Sequence, residues 1–324
     1  MNEYQNIKTP AELLKYMDNI QYGFTDKEGK NYGSWNEEEF EKEVFNKWFL
    51  SSPERLIKVR HGHCYDQVEL ERDWFTKNNY KVHTYYMMFL LPYENPYTTH
   101  TFLIYEKDNK YYYFEHSDYY HRGIYEFNSL NEALAFCYSN HLQSNKEQNN
   151  MTTEEISSLK IFSYSKPQYN LKMNEFIDYI LDSGQEIDLS SYYIEQYIKD
   201  KISNGDYTLL PDTLAIGKVY KIHKLGDINK EGYEVGYLYL PKSSGIKEHK
   251  HYNDIERYKL ISGTLRVFNF PSTTNICLLN HVHCIDPVPE DTIIETCKIS
   301  KTYLNKLSTP IESTTFDNLT NKTL

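Results

Sequence analysis

The chain has 324 residues, enough at ~150 residues per domain for two domains that each bury a core. Its net charge of −11 argues against a nucleic-acid-binding surface, and no apolar run approaches the ~18 residues that span a membrane. Five scattered cysteines (Cys64, Cys137, Cys277, Cys284, Cys297) do not make a disulfide framework, so reduced thiols are expected. The opening MNEYQNIKTP has neither the basic nor the apolar segment of a signal peptide, and a soluble, cytoplasmic protein is the expectation. The 32 tyrosines are spread along the whole chain and read as composition bias, not as a binding surface.

In chain order, Thr9-Pro10-Ala11-Glu12 has capping-box spacing with Pro at the first helical position, which predicts a helix over 11–17. Ser52-Pro53 offers a second start of this kind, and CYDQVELERDWFTK from Cys64 a third helix. Strands are predicted at Tyr85–Leu91, His100–Glu106 and Lys110–His116, with Asp108-Asn109 as a tight turn between the last two. A helix over Asn131–Tyr138 closes the unit. The polar run Ser144–Ser158 reads as a linker, followed by helices over Met173–Leu181 and Ser191–Ile202. From Thr213 the pattern changes to short strands with turns: GKVYKI, EVGYLYLP, ERYKLISG, LRVFNF and ICLLNHVHCI. The expected domains are therefore 1–143, a linker and helical bridge 144–212, a β-domain 213–310, and a polar, frayed tail 311–324.

Gly62-His63-Cys64 introduces the third helix. A thiol at a helix N-terminus is stabilised as thiolate, and Gly62 allows a sharp turn into that position. A two-residue turn at Asp108-Asn109 sets opposed residues to a fixed register. Glu115 then becomes the diagonal neighbour of His100 on one face, ~7–8 Å away at Cα. His61 and His63 beside Cys64 also suggest a metal site, but no second ligand pair lies near them in sequence. A Gly-x-Cys opening a helix, a strand opening with His, and an acidic residue after the next aromatic strand resemble the transglutaminase-like cysteine enzymes of the papain-like fold. The resemblance covers about residues 40–135. It implies Cys64 as nucleophile, His100 as general base and Glu115 as the residue that orients the imidazole. Glu115 departs from the Asp usual in that family.

The run GIKEHKHYNDIERYKLISG contains His249 and His251, which project to one face of a strand, then Glu256 and Gly263; His283 follows in NHVHCIDPVPEDT. Three imidazoles and a carboxylate inside a barrel suit a divalent transition metal such as Fe, Mn, Ni or Zn. A zinc site of Cys277, His281, His283 and Cys284 is disfavoured, because on one strand Cys284 would face away from the other three. His249, His251, Glu256 and Gly263 stand at the spacing of the first motif of the cupin family, which this segment resembles. The resemblance implies a double-stranded β-helix barrel with His249, His251, Glu256 and His283 as ligands. The Pro and Gly usual upstream of the last His are replaced by Asn280 and His281.

Two readings of function follow. One is a cysteine enzyme, with no cofactor, that transfers an acyl group from a peptide or small amide through Cys64, beside a cupin barrel holding a metal or small ligand. The other is a metal-dependent isomerase or oxygenase, or a ligand sensor, built on the barrel with an idle first domain. A homodimer through the barrel is a further expectation; neither nucleic acid nor membrane is an expected partner.

Overall fold

The computed structural model describes residues 3–32, 45–92, 98–268 and 276–306. The tail from Ile311 and parts of the loops Gly23–Trp35 and Tyr93–Thr99 lie outside the described residues. The chain divides into two compact units, Met1–Leu189 and Ser190–Leu324. No helix among the described residues is long and apolar enough to cross a membrane.

In the first unit, local side-chain bonds set the helix starts. The Glu12 N–H donates to Thr9 Oγ1 at 3.2 Å and the Thr9 N–H donates to the Glu12 carboxylate at 3.1 Å, opening α1 (Pro10–Met17) with a capping box. Ser52 accepts from the Arg55 N–H and starts α2 (Pro53–Val59). Helix α3 (Cys64–Lys77) is fixed by Asp66, which is 1% exposed. Its carboxylate accepts from the His63 N–H (3.0 Å), the Ser51 N–H (2.7 Å) and the Trp48 indole N–H (3.1 Å). Glycine at position 62 serves a different need from the sharp turn expected of it. A Cβ there would meet Leu56 Cδ1 at 2.5 Å and Asp66 Cβ at 2.9 Å, so close approach of α2 and α3 is what requires it.

Six antiparallel strands form the largest sheet described in this unit: β1 (Lys81–Phe89), β2 (His100–Lys107), β3 (Lys110–Glu115), β4 (Gly123–Phe127), β5 (Leu159–Ser163) and β6 (Gln185–Glu186). Their order is β6-β5-β1-β2-β3-β4. Leu103 opposes Phe114 and Ile104 opposes Tyr113, the register that a turn at Asp108-Asn109 dictates. Both turn residues take positive φ, 52° and 59°, as a type I′ turn requires. Val68, Trp74 and Phe75 of α3 pack on Leu103, Tyr105 and Phe114 of one face. On the other face, Phe136 of α4 (Leu130–Gln148) packs against Tyr113, Tyr125 and Phe127.

The run expected as a linker is structured. Helix α4 continues past Tyr138 to Gln148, with Asn145 buried and accepting from the Thr98 hydroxyl at 2.6 Å. A capping box on Thr152 starts α5 (Thr153–Ser157), and β5 then pairs with β1 from Tyr85↔Ser163 to Phe89↔Leu159. Strand β1 needs a hydrogen-bonding partner on that side, and 159–163 supplies it. Helix α6 (Met173–Ser183) places Phe176 against Trp48, Tyr65 and Tyr86. The first unit therefore runs well beyond residue 143.

The second unit begins with α7 (Ser190–Ser203), whose Ile198 packs on Ile222, Tyr237 and Ile293. This half of the expected bridge is part of the β-domain. Ten strands follow: β7 (Thr208–Leu209), β8 (Ala215–Ile216), β9 (Tyr220–Leu225), β10 (Tyr233–Leu240), β11 (Gly245–His249), β12 (Asp254–Ser262), β13 (Val267–Phe268), β14 (Ile276–Cys277), β15 (His283–Ile285) and β16 (Thr292–Ser300). They make two antiparallel sheets, β7-β9-β10-β16-β12-β14 and β8-β11-β15-β13. Leu238, Leu240, Tyr258 and Ile294 of the larger sheet pack on Ala215, Ile246 and Ile285 of the smaller. This is a β-domain of two antiparallel sheets packed face to face. The run ICLLNHVHCI, expected as one strand, is two: β14 pairs with β12 in the larger sheet and β15 with β11 and β13 in the smaller. The chain changes sheets between them through Asn280, at φ 62°.

Gly263 ends β12 at φ +85°, and a Cβ there would lie 2.5 Å from Thr292 Oγ1 and 2.6 Å from the Asp291 carbonyl oxygen. Gly263→Ala is expected to destabilise the second unit by about 1–3 kcal/mol, read as a lower midpoint in urea. An unchanged midpoint would mean that the β12–β16 corner is soft.

Candidate functional site

Two clusters of chemistry-bearing side chains stand out, one in each unit. In the first, Cys64 is the first residue of α3, so its sulfur sits at the positive end of the helix. It is 1% exposed, and His63 Nδ1 lies 3.2 Å from Sγ. His100 opens β2, and its imidazole is near enough to act on the titration of the thiol. Burial pushes the Cys64 thiol up, but His63 and His100 outweigh it and bring the thiol down to about 5. His100 Nε2 is 2.7 Å from Glu115 Oε2 at the end of β3. Glu115 also accepts from the Tyr113 hydroxyl, from the Ser117 hydroxyl at 3.0 Å and from the Asp118 N–H at 2.7 Å.

Burial alone would raise the Glu115 carboxyl; His100 and these donors instead hold it down at about 2. Desolvation works against the charged form of His100, but Glu115 and Cys64 lift it well above its ordinary range. The favoured state is thus thiolate, imidazolium and carboxylate in a row. Burial lowers His141, which stacks on His100 with ring centroids 6.1 Å apart, to about 4, and His100 adds to the effect. It stays neutral and adds no competing charge. Glu71, buried on α3, is pushed well above its usual range by burial and by the Glu115 charge.

The structure brings Cys64, His100 and Glu115 together; the sequence reading did not include His63, Tyr113 and Ser117 in that group. Alternation along β3 carries a signal for Tyr113, two residues before Glu115 and on its face. His63 directly precedes Cys64, and the sequence reading weighs it only as a metal ligand, not as a partner of the thiol. Its ring is held by stacking on Phe24, with centroids 4.5 Å apart, a contact between residues far apart in the chain.

The second cluster lies inside the β-domain. One donor atom from each of His249, His251, Glu256 and His283 lies within 4.8 Å of all the others. His249 ends β11, opposite His283 on β15, and Glu256 comes from β12. His251 Nε2 is 2.9 Å from Glu256 Oε2, and His283 Nε2 is 3.6 Å from the same oxygen. Burial would raise Glu256, but Lys298 and the hydrogen bonds of His251 and His283 hold it well below its ordinary range. His283 is drawn the other way: desolvation lowers it, while Cys277 and Glu256 hold it at about 9. His249 is lowered by burial and by the neighbouring imidazoles.

The chemistry of this donor set fits a borderline divalent ion. Outer contacts support the fit. Cys277 Sγ lies 2.8 Å from His283 Nδ1, and His249 Nδ1 lies 2.9 Å from the Lys247 carbonyl oxygen, so Nε2 of each ring is left for a metal. The Tyr258 hydroxyl donates to Glu256 at 2.8 Å and is 3.3 Å from His283 Nε2. Sequence reasoning placed neither Tyr258 nor Cys277 in the site. Tyr258 was findable, two residues after Glu256 on one strand face. Cys277 stands beside His283 in the sequence reading only as part of the disfavoured zinc set on one strand; in the structure the two lie on β14 and β15 of different sheets. The alternative zinc set does not assemble: Cys277 faces His283, while Cys284, next to His283 on β15, projects to the opposite face.

No family model matches the sequence, and no curated protein matches it. Solved structures do. One is an acetylacetone dioxygenase from Acinetobacter johnsonii, 14% identical over 38% of this chain and 91% of its own, with TM-score 0.25. A cupin-like protein from Thermotoga maritima is 13% identical over 30% and 79%, with TM-score 0.25. A protein with a double-stranded beta-helix domain from Klebsiella pneumoniae is 15% identical over 31% and 88%, with TM-score 0.23.

Cys137 makes a matched control for Cys64. It is 2% exposed, and burial with the Glu115 charge pushes its thiol well above the ordinary range. Alkylation of Cys64 by iodoacetamide is expected to rise through about pH 5 and to level off by about pH 7, because a lowered pKa leaves the thiolate populated above it. Cys137 is expected to react at least ~10-fold more slowly at neutral pH. Peptide mass spectrometry reads both rates, and equal rates would remove the case for an activated thiol.

Proposed function

We propose that the β-domain is a metal-dependent catalytic centre of the isomerase or oxygenase type, holding one divalent transition ion on His249, His251, Glu256 and His283. The observation that carries this reading is the convergence of four donor atoms within 4.8 Å from β11, the turn after it, β12 and β15. When bound, the ion supplies Lewis acidity toward a substrate oxygen. The chain's own residues do the rest. Glu256 contributes the one anionic donor, Cys277 fixes which nitrogen of His283 faces inward, and the Tyr258 hydroxyl holds a proton beside both. Purified protein is expected to carry about one equivalent of transition metal by elemental analysis, lost in His251→Ala. Cys277→Ala is expected to weaken metal affinity by about 10–100-fold, the usual cost of an outer-shell partner. Metal-free protein that takes up no added Fe, Mn, Ni or Zn would overturn the reading in favour of a ligand-sensing barrel.

A second reading is favoured by the His100–Glu115 contact beside Cys64: a cysteine-dependent acyl transfer of the transglutaminase-like, papain-like type, on a peptide or small amide. The Cys64 thiolate attacks the carbonyl carbon, and protonated His100 gives its proton to the leaving amine. Water or a second amine then releases the acyl group, with Glu115 keeping the imidazole in line. Metal and thiol chemistry are separable. Chelation is expected to leave Cys64 alkylation unchanged, and Cys64→Ser to leave the metal content unchanged. Loss of alkylation at neutral pH on Glu115→Gln is the outcome this second reading requires.

A further inference from the structure

The inner face of the β-domain carries more charge than the donor cluster alone. In the larger sheet, Glu234 of β10 is opposed by Lys298 of β16, and Lys298 is opposed in turn by Glu256 of β12. Directly opposed residues project to one face, so the three form a row that points to the same side as Glu256. Lys221 of β9 extends it, with Nζ 2.5 Å from Glu234 Oε1. Lys298 Nζ is 3.4 Å from Glu256 Oε1, longer than the ~2.7–2.9 Å of a close charge-assisted hydrogen bond. Its side chain is 29% exposed. Lys221 and Lys298 both line a pocket that also contains His249 and Glu256 of the donor cluster; Leu238 shares their sheet, and the facing wall includes Leu214 and Ile246.

The charges of this wall cancel as they stand: two lysines against two glutamates. A divalent ion on the donor cluster, whose imidazoles must be neutral to ligate, leaves two positive charges uncompensated. In a space walled by leucine and isoleucine such an excess draws an anion, because solvent screening is weak there. Lys298 is the group placed to bind it. It already reaches one oxygen of the anionic ligand Glu256, has ammonium protons to spare, and opens into the pocket. The apolar wall opposite fits a short hydrocarbon body.

Resting on the metal reading above, we infer that the substrate or ligand of this centre is a small organic carboxylate. Its head group is held by Lys298 beside the metal, and its body lies against Leu214, Leu238 and Ile246. Lys298 is thereby the residue that determines specificity, and Lys221 keeps Glu234 from claiming it.

The test uses the full chain loaded with Co(II), titrated with butyrate and with its neutral isostere butyramide, and followed by the visible absorption of the metal and by calorimetry. Butyrate is expected to change the spectrum saturably and to bind at least ~10-fold tighter than butyramide, by the added charge pairing. Lys298→Met is expected to erase that preference while the protein still holds one Co(II); Lys298→Arg is expected to keep it. Failure to take up Co(II) would overturn the metal reading and this inference together. Uptake of Co(II) with equal affinity for the two probes, or with a preference that survives Lys298→Met, would overturn this inference alone. If Lys298→Met does not fold, the comparison of the two probes on the unaltered chain decides the matter.

Discussion

An antiparallel ladder sends directly opposed residues to the same face of a sheet, and every second residue along a strand joins them. Both sites rest on that constraint. In the first unit the type I′ turn at Asp108-Asn109 sets Leu103 opposite Phe114, and His100 and Glu115 thereby come to the same face, 2.7 Å apart. A slip of one residue would send Glu115 to the α3 side, take Phe114 off it, and leave the imidazole without its carboxylate. In the second unit the same rule gathers Glu256, Tyr258 and Lys298 on the inner face, while Arg257 and Cys297 between them face out. The hydrogen-bond pattern is the cause; the chemistry at each site is its consequence.

What the ladder cannot do is bring a helix terminus to the sheet. For Cys64 that task falls to Asp66, which gathers N–H groups from Trp48, Ser51 and His63 in a buried position. Burial raises the Asp66 carboxyl, and its three donors work in the opposite sense. Those donors belong to the chain just before α3, so their removal would free the turn that aims the sulfur. The close approach at Gly62 acts in the same place, with a Cβ there barred by Leu56 and Asp66 itself. The thiol is thus positioned by buried polar contacts and by one missing side chain, not by its own packing.

The parts of the fold that were legible are those where a local interaction decides. Thr9 and Ser52 announce helix starts because their side chains satisfy N–H groups within the same turn. Asp108-Asn109 fixes a register, and His249 with His251 and Glu256 marks a cluster of donor side chains, because each acts over a few residues. The linker reading of 144–158 was wrong for a tertiary reason. That run is polar, yet Asn145 is buried by its bond to Thr98, and 159–163 forms a strand to satisfy the open edge of β1. The Phe24 ring that stacks on His63 was invisible for the same cause: that contact joins segments that only the finished fold brings together. Composition shifts report solvation, and here solvation and domain boundary do not coincide.

The two sites solve the problem of buried charge in opposite ways. Around Cys64 the protein supplies both signs itself. A thiolate and a carboxylate flank the His100 imidazolium, the α3 N-terminus faces the sulfur, and the other buried groups nearby, His141 and Glu71, are shifted toward their neutral forms. Inside the β-domain no such closure exists. Three imidazoles crowd one carboxylate, two of them are pushed in opposite directions, and Lys298 with the hydrogen bonds of His251 and His283 keeps Glu256 low. A proton held between donors that all point inward is the least demanding cation such a cluster can accept. A divalent ion satisfies the same four atoms at once, which a proton cannot do. The lysine row beside the cluster is the other half of the balance that the proposed ion and its anionic ligand would complete.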